Sequence, residues 1–255
     1  MILNIKNIDF SYSEKNIIQD LSLRYDSKKT MCILGANGTG KSTLLKCIMG
    51  ENKIQKGQIL INDEDLLALN PRERARKIAY IPQNHHPSFA FKVIDVVLMG
   101  RTSKMGYFAT PSKQDTAIAM DYLDYLGIAP LAQKAYTDIS GGERQLVMIA
   151  SALSQEPEML LLDEPTAHLD FGNQYRFLEL VKKLQKEGIG ICMTTHFPDH
   201  ALQLQSETAL MNHGKIVETG TAKDIITEDK LRKIYGIEIH VENIGHRRVC
   251  VPGEI

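Results

Sequence analysis

Nine consecutive residues, Gly35-Ala36-Asn37-Gly38-Thr39-Gly40-Lys41-Ser42-Thr43, have the composition of a loop that holds the phosphates of a nucleotide. Gly35, Gly38 and Gly40 let the backbone turn its amides inward, so that several N–H dipoles converge on an anion at the start of a helix. Lys41 supplies a point charge for the β and γ phosphates, Ser42 a hydroxyl for Mg²⁺, and Thr43 reaches the α phosphate region. A match of this kind arises by accident about once in a hundred chains of this length at average residue usage. A second glycine motif, Ile139-Ser140-Gly141-Gly142-Glu143-Arg144-Gln145, removes accident as an explanation.

Two carboxylates follow an apolar run, Met159-Leu160-Leu161-Leu162, that reads as a buried strand. Asp163 and Glu164 then stand at its carboxyl end, where ligands sit in parallel sheets. Asp163 suits the Walker B task of holding Mg²⁺ and its waters, and Glu164 suits polarising the attacking water as general base. An acidic strand end that only caps the next helix explains one carboxylate better than two. Ser140 to Glu143 has two compatible readings: a capping box opening a helix, and an anion site made of two bare glycine amides beside a serine. Since the loop at Gly35 already holds one phosphate chain, the anion expected at Ser140 is the γ phosphate of a nucleotide carried by another copy of the chain.

The elements around these residues alternate. Short β-like runs at Leu3–Tyr12, Leu21–Tyr25 and Gln58–Ile61 flank the strand Met31–Leu34, which leads into the phosphate loop and a helix over Ser42–Met49 closed by Gly50. Asn70-Pro71 opens a short charged helix, and Lys77–Pro82 reads as a strand entering the Gln83-Asn84-His85-His86-Pro87 loop. Helical texture then dominates: Val93–Met99, a helix from Thr110-Pro111 to Leu126 with Thr110 as N-cap, and Ser140–Leu153. Strand and helix alternate again in Met159–Leu162, about Asn173 to Lys186, and Ile189–Thr194, which implies a parallel sheet. Thr208–Gly236 carries further short strands and helices, and the chain beyond about Glu228 is the least informative. The expectation is one α/β domain over 1–255, with residues 1–83 and 155–255 forming a core with a β subdomain and 84–154 an inserted helical subdomain.

Composition narrows the function. The 255 residues are 43% hydrophobic, enough to bury one large core or one core with a smaller lobe. Thirty Lys and Arg nearly balance 31 Asp and Glu, so no positive field gathers nucleic acid, and no nucleic-acid partner is expected. The amino terminus lacks the apolar run of a signal peptide, and no stretch has the eighteen consecutive apolar residues of a membrane span. Any membrane role must therefore go through a partner. Cys32, Cys47, Cys192 and Cys250 are scattered without a CxxC pair and read as small buried hydrophobes of a reducing cytosol.

Taken together, the motifs make the chain resemble, essentially end to end, the nucleotide-binding subunit of ATP-binding cassette (ABC) transporters. Beside the motifs above it has Gln83 where the Q-loop belongs, Ala167-His168-Leu169-Asp170 as D-loop, His196 as switch histidine, and Tyr12 at the aromatic position that stacks on adenine. The resemblance implies a P-loop (RecA-like) core with a parallel sheet, an N-terminal antiparallel β subdomain and an inserted α-helical subdomain. It implies ATP on residues 35–43 and Mg²⁺ on Ser42, Gln83 and Asp163. Two copies would close head to tail, each adding Ser140, Gly141, Gly142 and Glu143 to the other's ATP, with Asp170 crossing the interface. Gln83 and His196 would assist Glu164 in catalysis, His196 by contacting the γ phosphate and orienting the base and the water. Ile139 in place of Leu and Glu143 in place of Gln depart from the usual signature without removing an anion-binding amide.

Four segments, Val96–Arg101, Gly142–Gln145, Ala167–Gln174 and Thr194–His200, resemble the import ATPases for iron chelates, haem, cobalamin and molybdate. That implies a type II importer: two of these subunits at the cytoplasmic face of the membrane, driving two multi-span permease subunits fed by an external binding protein. The His85–Phe91 segment would help form the groove for the permease, a role preferred to metal ligation by His85-His86 or by the His196/His200 pair. The alternative is a soluble ABC ATPase acting as an assembly factor, for example in iron-sulfur cluster maturation, which shares every ATP motif. DNA-repair relatives would need a heptad coiled coil and a basic groove, and a nucleoside kinase or GTPase would leave the signature, Gln83 and His196 without roles.

Overall fold

The computed structural model describes residues 1–83, 89–106, 109–167 and 169–253. An antiparallel hairpin opens the chain, β1 (Ile2–Tyr12) with β2 (Lys15–Asp26). The expected Leu21–Tyr25 strand begins earlier, at Lys15, because register shifts between Ile5 and Ser11 break the alternation that marks a strand in sequence. β3 (Thr30–Leu34) enters the phosphate loop and α1 (Lys41–Met49), which ends on the left-handed Gly50. β4 (Lys56–Ile61) and β5 (Glu64–Asp65) complete an antiparallel sheet of order β2-β1-β4-β5. α2 (Pro71–Lys77), opened by a capping box between Asn70 and Glu73, then delivers β6 (Ile78–Ile81).

Three helices follow, α3 (Val93–Met99), α4 (Lys113–Tyr125) and α5 (Gly141–Ser154). The N-cap of α4 is Ser112, not Thr110. Ser112 accepts from the Asp115 amide while Asp115 accepts from the Ser112 amide, and Thr110 has Lys113 where the matching acid would have to be. Val93, Val97, Leu123, Tyr136, Val147 and Ala150 pack as a core of their own. The other face of α5, with Ile149, Ala152 and Leu153, belongs to the core under the large sheet, so one helix serves both. The buried Arg101 guanidinium clamps this junction, bonding the Ser154 carbonyl at 2.6 Å, Glu156 at 3.0 Å and Asp115 at 3.1 Å. Gln155 adds bonds to the carbonyls of Ala75 and Ile78.

The α/β pattern resumes with β7 (Met159–Leu162), α6 (Phe171–Lys186), β8 (Gly190–Thr195), α7 (Pro198–Leu204) and β9 (Glu207–Asn212). β10 (Lys215–Thr221), α8 (Ala222–Ile225), α9 (Glu228–Tyr235) and a hairpin of β11 (Ile239–Ile244) with β12 (Arg247–Pro252) close the chain. The second sheet has the order β10-β9-β3-β8-β7-β6 among the described residues, parallel throughout except for β10. Period-two alternation divides its strands cleanly. Met31, Ile33, Met159, Leu161 and Cys192 pack with α1 and the antiparallel sheet, while Cys32, Leu34, Leu160, Leu162, Ile191 and Met193 pack with α5, α6 and α7. Cys32, Cys47 and Cys192 are fully buried, and burial pushes the Cys32 and Cys47 thiols up to about 12; Cys250, on β12, is only half-buried.

Candidate active site

Parallel register does most of the assembly. Leu34 pairs with Thr195, Ile81 with Leu162, and Leu162 with Met193, so the residues just past β3, β6, β7 and β8 emerge on one sheet edge. Those residues are Gly35, Gln83, Asp163 with Glu164, and His196. The phosphate loop is pinned to this edge by the Gly35 amide, which bonds the Thr195 carbonyl at 3.4 Å. A side chain at Gly35 would put its Cβ 2.4 Å from the Met211 carbonyl oxygen, so only glycine fits. Gly40 sits at φ 105°, open to glycine alone, and turns the chain into α1 one residue earlier than the sequence suggests.

Lys41 is 4% exposed; its ammonium donates to the carbonyls of Gly35 at 2.9 Å and Ala36 at 3.0 Å and pairs with Glu164 Oε1 at 3.1 Å. The other Glu164 oxygen, Oε2, accepts from His196 Nδ1 at 3.0 Å and from Gln83 Nε2 at 3.3 Å. Glu164 is thus the hub of the site. It is 8% exposed and holds a left-handed φ of 43°, a conformation an ordinary residue keeps only where its surroundings demand it. Ser42 donates to Asp163 Oδ1 at 2.9 Å, and Thr39 to the Ala36 carbonyl at 2.9 Å, which shapes the loop from within. Asn37, Gly38 and Thr43 lie in the same loop and first turn.

Three supporting residues escaped the sequence reading. Thr194, wholly buried, donates to Asp163 Oδ1 at 2.7 Å and accepts from the Glu164 amide at 2.9 Å, so one hydroxyl sets both carboxylates. Tyr80 donates to Asp163 Oδ2 at 3.3 Å, and burial, reinforced by the Asp163 charge, pushes its phenol well up. The Tyr235 hydroxyl bonds the His196 carbonyl at 2.8 Å. Register could have found Thr194, which stands opposite Asp163 once Leu162 is paired with Met193. Nothing in local sequence points to Tyr235.

His200 does not join His196. Its Nδ1 bonds Thr195 Oγ1 at 3.0 Å, and that hydroxyl also accepts from the Phe197 amide. Burial, then the neighbouring His196, pulls His200 down to about 4. Asp170 is the N-cap of α6, accepting from the Asn173 amide at 2.8 Å, and α6 accordingly starts at Phe171 rather than Asn173. Tyr12 lies at the tip of the β1–β2 hairpin, 49% exposed, with its hydroxyl accepting from Asn52 at 3.0 Å. Ile17 of the same hairpin has its carbonyl against Gly40, which brings that tip beside the loop. His85, His86 and His168 lie outside the described residues, as does most of the His85–Phe91 segment expected to help form the permease groove; Phe89 and Phe91, at its end, are exposed.

The glycine signature stands apart from this cluster. Ser140 caps α5: its Oγ accepts from the Glu143 amide at 3.3 Å and its own amide bonds Glu143 Oε2 at 2.7 Å. That backbone bond holds the Glu143 carboxyl below the usual range, so it is ionised. Ser140, Gly142 and Glu143 border a groove of about 450 Å³ with Leu169, Asn173 and Phe177 of the α6 region. Among the described residues no hydrogen bond or ion pair joins Ser140–Glu143 to residues 35–43.

Mg²⁺ suits the donors at the sheet edge. Ser42 Oγ and Asp163 are hard oxygens 2.9 Å apart, and Mg²⁺ commonly uses one or two such ligands plus phosphate oxygens and waters. No cluster of three or more His, Cys, Asp or Glu exists among the described residues to hold a metal by protein ligands alone.

Comparison with known proteins finds one family. The family model for ABC transporters matches residues 18–167. An uncharacterised ABC transporter ATP-binding protein of Haemophilus influenzae is 41% identical over 92% of this chain and 89% of its own length. The probable iron chelatin transport ATP-binding protein of Helicobacter pylori is 35% identical over 96% of both chains, and the molybdate import ATP-binding protein MolC of Haemophilus influenzae 34% over 96% and 92%. Among solved structures, an inward-facing ABC transporter assigned to the metal-chelate type superposes with a TM-score of 0.88 at 31% identity, covering 99% of this chain and 97% of that one. With a phosphate loop, a paired-carboxylate strand end and a histidine meeting on one sheet edge, the chain belongs to the ABC transporter family and is an ATP-binding subunit that hydrolyses ATP.

Proposed function

We propose that the chain powers an importer, two copies closing head to tail around two ATP molecules and working on a separate multi-span permease at the cytoplasmic face of the membrane. The carrying observation is the Glu164 carboxylate, held between Lys41, His196 and Gln83 at the end of β7. In this reading the amides of Gly35 to Gly40 and the Lys41 ammonium hold the phosphates, and Tyr12 stacks on adenine. Glu164 takes the proton of the attacking water, His196 orients Glu164 and reaches the γ phosphate, and Gln83 positions the water. Ser42 and Asp163, with Gln83 alongside, would hold Mg²⁺, which would supply charge neutralisation for the phosphates.

Ser140, Gly141 and Gly142 act in trans, with Glu143 completing the capping box that presents them. Their separation from residues 35–43, together with the amides of Gly141 and Gly142 at the start of α5, supports a γ phosphate supplied by the partner copy. Asp170, beside that groove, is assigned to the same interface. Hydrolysis removes the contact that bridges the copies and biases the assembly toward opening. No helix among the described residues is long and apolar enough to cross a membrane, and this reading assigns the crossing to the permease. Relatives named for iron chelatin and molybdate support a metal chelate or oxyanion as cargo, delivered by an external binding protein.

The test is a pull-down of tagged Glu164→Gln protein with ATP from native membranes. A stoichiometric multi-span permease is the expected partner; soluble partners alone would overturn the importer reading. Ser140→Arg separates the trans reading from a cis one: hydrolysis and ATP-driven dimerisation are lost while nucleotide binding by the single chain survives. Loss of that binding would place the signature in cis.

A further inference from the structure

The carboxy-terminal segment, almost silent in the sequence, touches the catalytic cluster at one point. α9 is seated by Leu231, which is fully buried, and its last residue sends the Tyr235 hydroxyl to the His196 carbonyl at 2.8 Å. Burial pushes the Tyr235 phenol up, so it is a protonated donor throughout the working range. The segment holds the same turn a second time, three residues on, where the Cys250 amide of β12 bonds Asp199 Oδ1 at 2.9 Å. The turn is held further by the Phe197 amide and His200 Nδ1 on Thr195 Oγ1, by the His200 amide on the Phe197 carbonyl, and by the Gly35 amide on the Thr195 carbonyl.

His196 follows the last residue of β8 and precedes α7, so its backbone has no ladder or helix partner of its own. Anchoring its carbonyl restricts ψ and the movement of the backbone there, and with them the range over which the imidazole can be aimed. The imidazole must stay within hydrogen-bond reach of Glu164 Oε2, now 3.0 Å away. A misplacement of an ångström in such a group costs far more rate than binding.

We propose that Tyr235 is a positioning residue for ATP hydrolysis, and that the segment from Glu228 to Pro252 is a strap that sets the catalytic turn at His196. This rests on the assignment of His196 to catalysis proposed above. Tyr235 acts through the His196 backbone.

Tyr235→Phe removes the hydroxyl and keeps the ring, so the variant folds and binds ATP. Its kcat should fall roughly three- to tenfold, the loss of one hydrogen bond, with the KM for ATP within about twofold of the parent. The same substitution in a His196→Ala background should change the residual rate by less than about twofold, because the group it positions is absent. A merely structural Tyr235 would lower the melting temperature and leave both kcat values alone, which overturns the proposal. So would equal losses of kcat in the two backgrounds, which would mean that Tyr235 does not act through His196. A His196→Ala protein with parental kcat would instead remove the catalytic assignment on which the proposal stands, an outcome the single Tyr235→Phe variant cannot mimic.

Discussion

Glu164→Gln tests the centre of the site because the change is nearly isosteric while it removes the negative charge and turns one acceptor oxygen into a donor NH2. That charge now faces the Lys41 ammonium at 3.1 Å, an attraction of roughly 5 kcal/mol before desolvation at an effective dielectric constant near 20. It also accepts from His196 at 3.0 Å and Gln83 at 3.3 Å. An amide in its place cannot take a proton, and loss of a general base costs about 10²- to 10⁴-fold in kcat, or roughly 3–5 kcal/mol of barrier. Binding should move the other way. Lys41 keeps the carbonyls of Gly35 and Ala36 but loses a carboxylate that competes with phosphate for it, so the Kd for ATP stays equal or tightens. Steady-state phosphate release gives kcat, a fluorescent ATP analogue gives Kd, and light scattering with ATP should show a persistent dimer. A variant that hydrolyses ATP within about threefold of the parent would refute the general-base assignment, since the effect is set at 10²-fold or more. Parallel loss of kcat and binding would refute the charge argument and make Glu164 a structural partner of Lys41.

Thr194→Val removes the hydroxyl shared by Asp163 and the Glu164 amide and should cost about 1–3 kcal/mol in urea unfolding while raising the Mg²⁺ concentration for half-maximal activity; parental values for both would show the bridge to be idle. His200, pulled down to about 4, is neutral in the native state, so its contribution to stability is complete above the unfolded value near 6.5 and is lost as pH falls through about 4. His200→Gln should flatten the decline of melting temperature between those pH values, and an equally steep decline would assign the acid sensitivity elsewhere. Glu143→Gln keeps the capping box but removes a negative charge from the start of α5. ATP-driven dimerisation should tighten severalfold while the melting temperature drops by a degree or two, the worth of an acid at a first turn, about 0.3–1 kcal/mol; a dimer no tighter than the parent's contradicts the placement of γ phosphate there.

Legibility followed the range of the signals. The phosphate loop, the Asp163-Glu164 pair and the Ser140 capping box are local patterns whose geometry is set within a few residues, and all three stand where the sequence predicts. Apolar runs such as Met159–Leu162 and Val93–Met99 were legible to the residue because one continuous stripe defines each. The start of α4 was misread because Thr110-Pro111 is a good local start, and the better one depends on a reciprocal bond between Ser112 and Asp115. The bulged hairpin of β1 with β2 hid its period, and the β11–β12 hairpin offers little apolar alternation because Glu242, Asn243 and Arg247 face solvent. Thr194, Tyr80 and Tyr235 were missed for one reason: each acts across strands or from the far end of the chain, and neither spacing nor residue type records such a meeting.

The position of Glu143 bears on how firmly two copies would close. The capping box takes the Ser140 amide and the Glu143 amide, which leaves the amides of Gly141 and Gly142 and the serine hydroxyl to meet an anion. An ionised carboxylate stands within one helical turn of them. It stabilises the free helix by opposing the positive end of the dipole, and for the same reason it repels the phosphate that the helix start would receive. The amides are directional and close at hand, whereas the carboxylate, at the exposed helix start, is screened by water and salt, so attraction wins but by a reduced margin. In the proposed head-to-tail dimer, a closure weakened in this way would persist only while the γ phosphate bridges the copies. Loss of that contact would then suffice to open them, so the charge at Glu143 would favour turnover over a long-lived closed state.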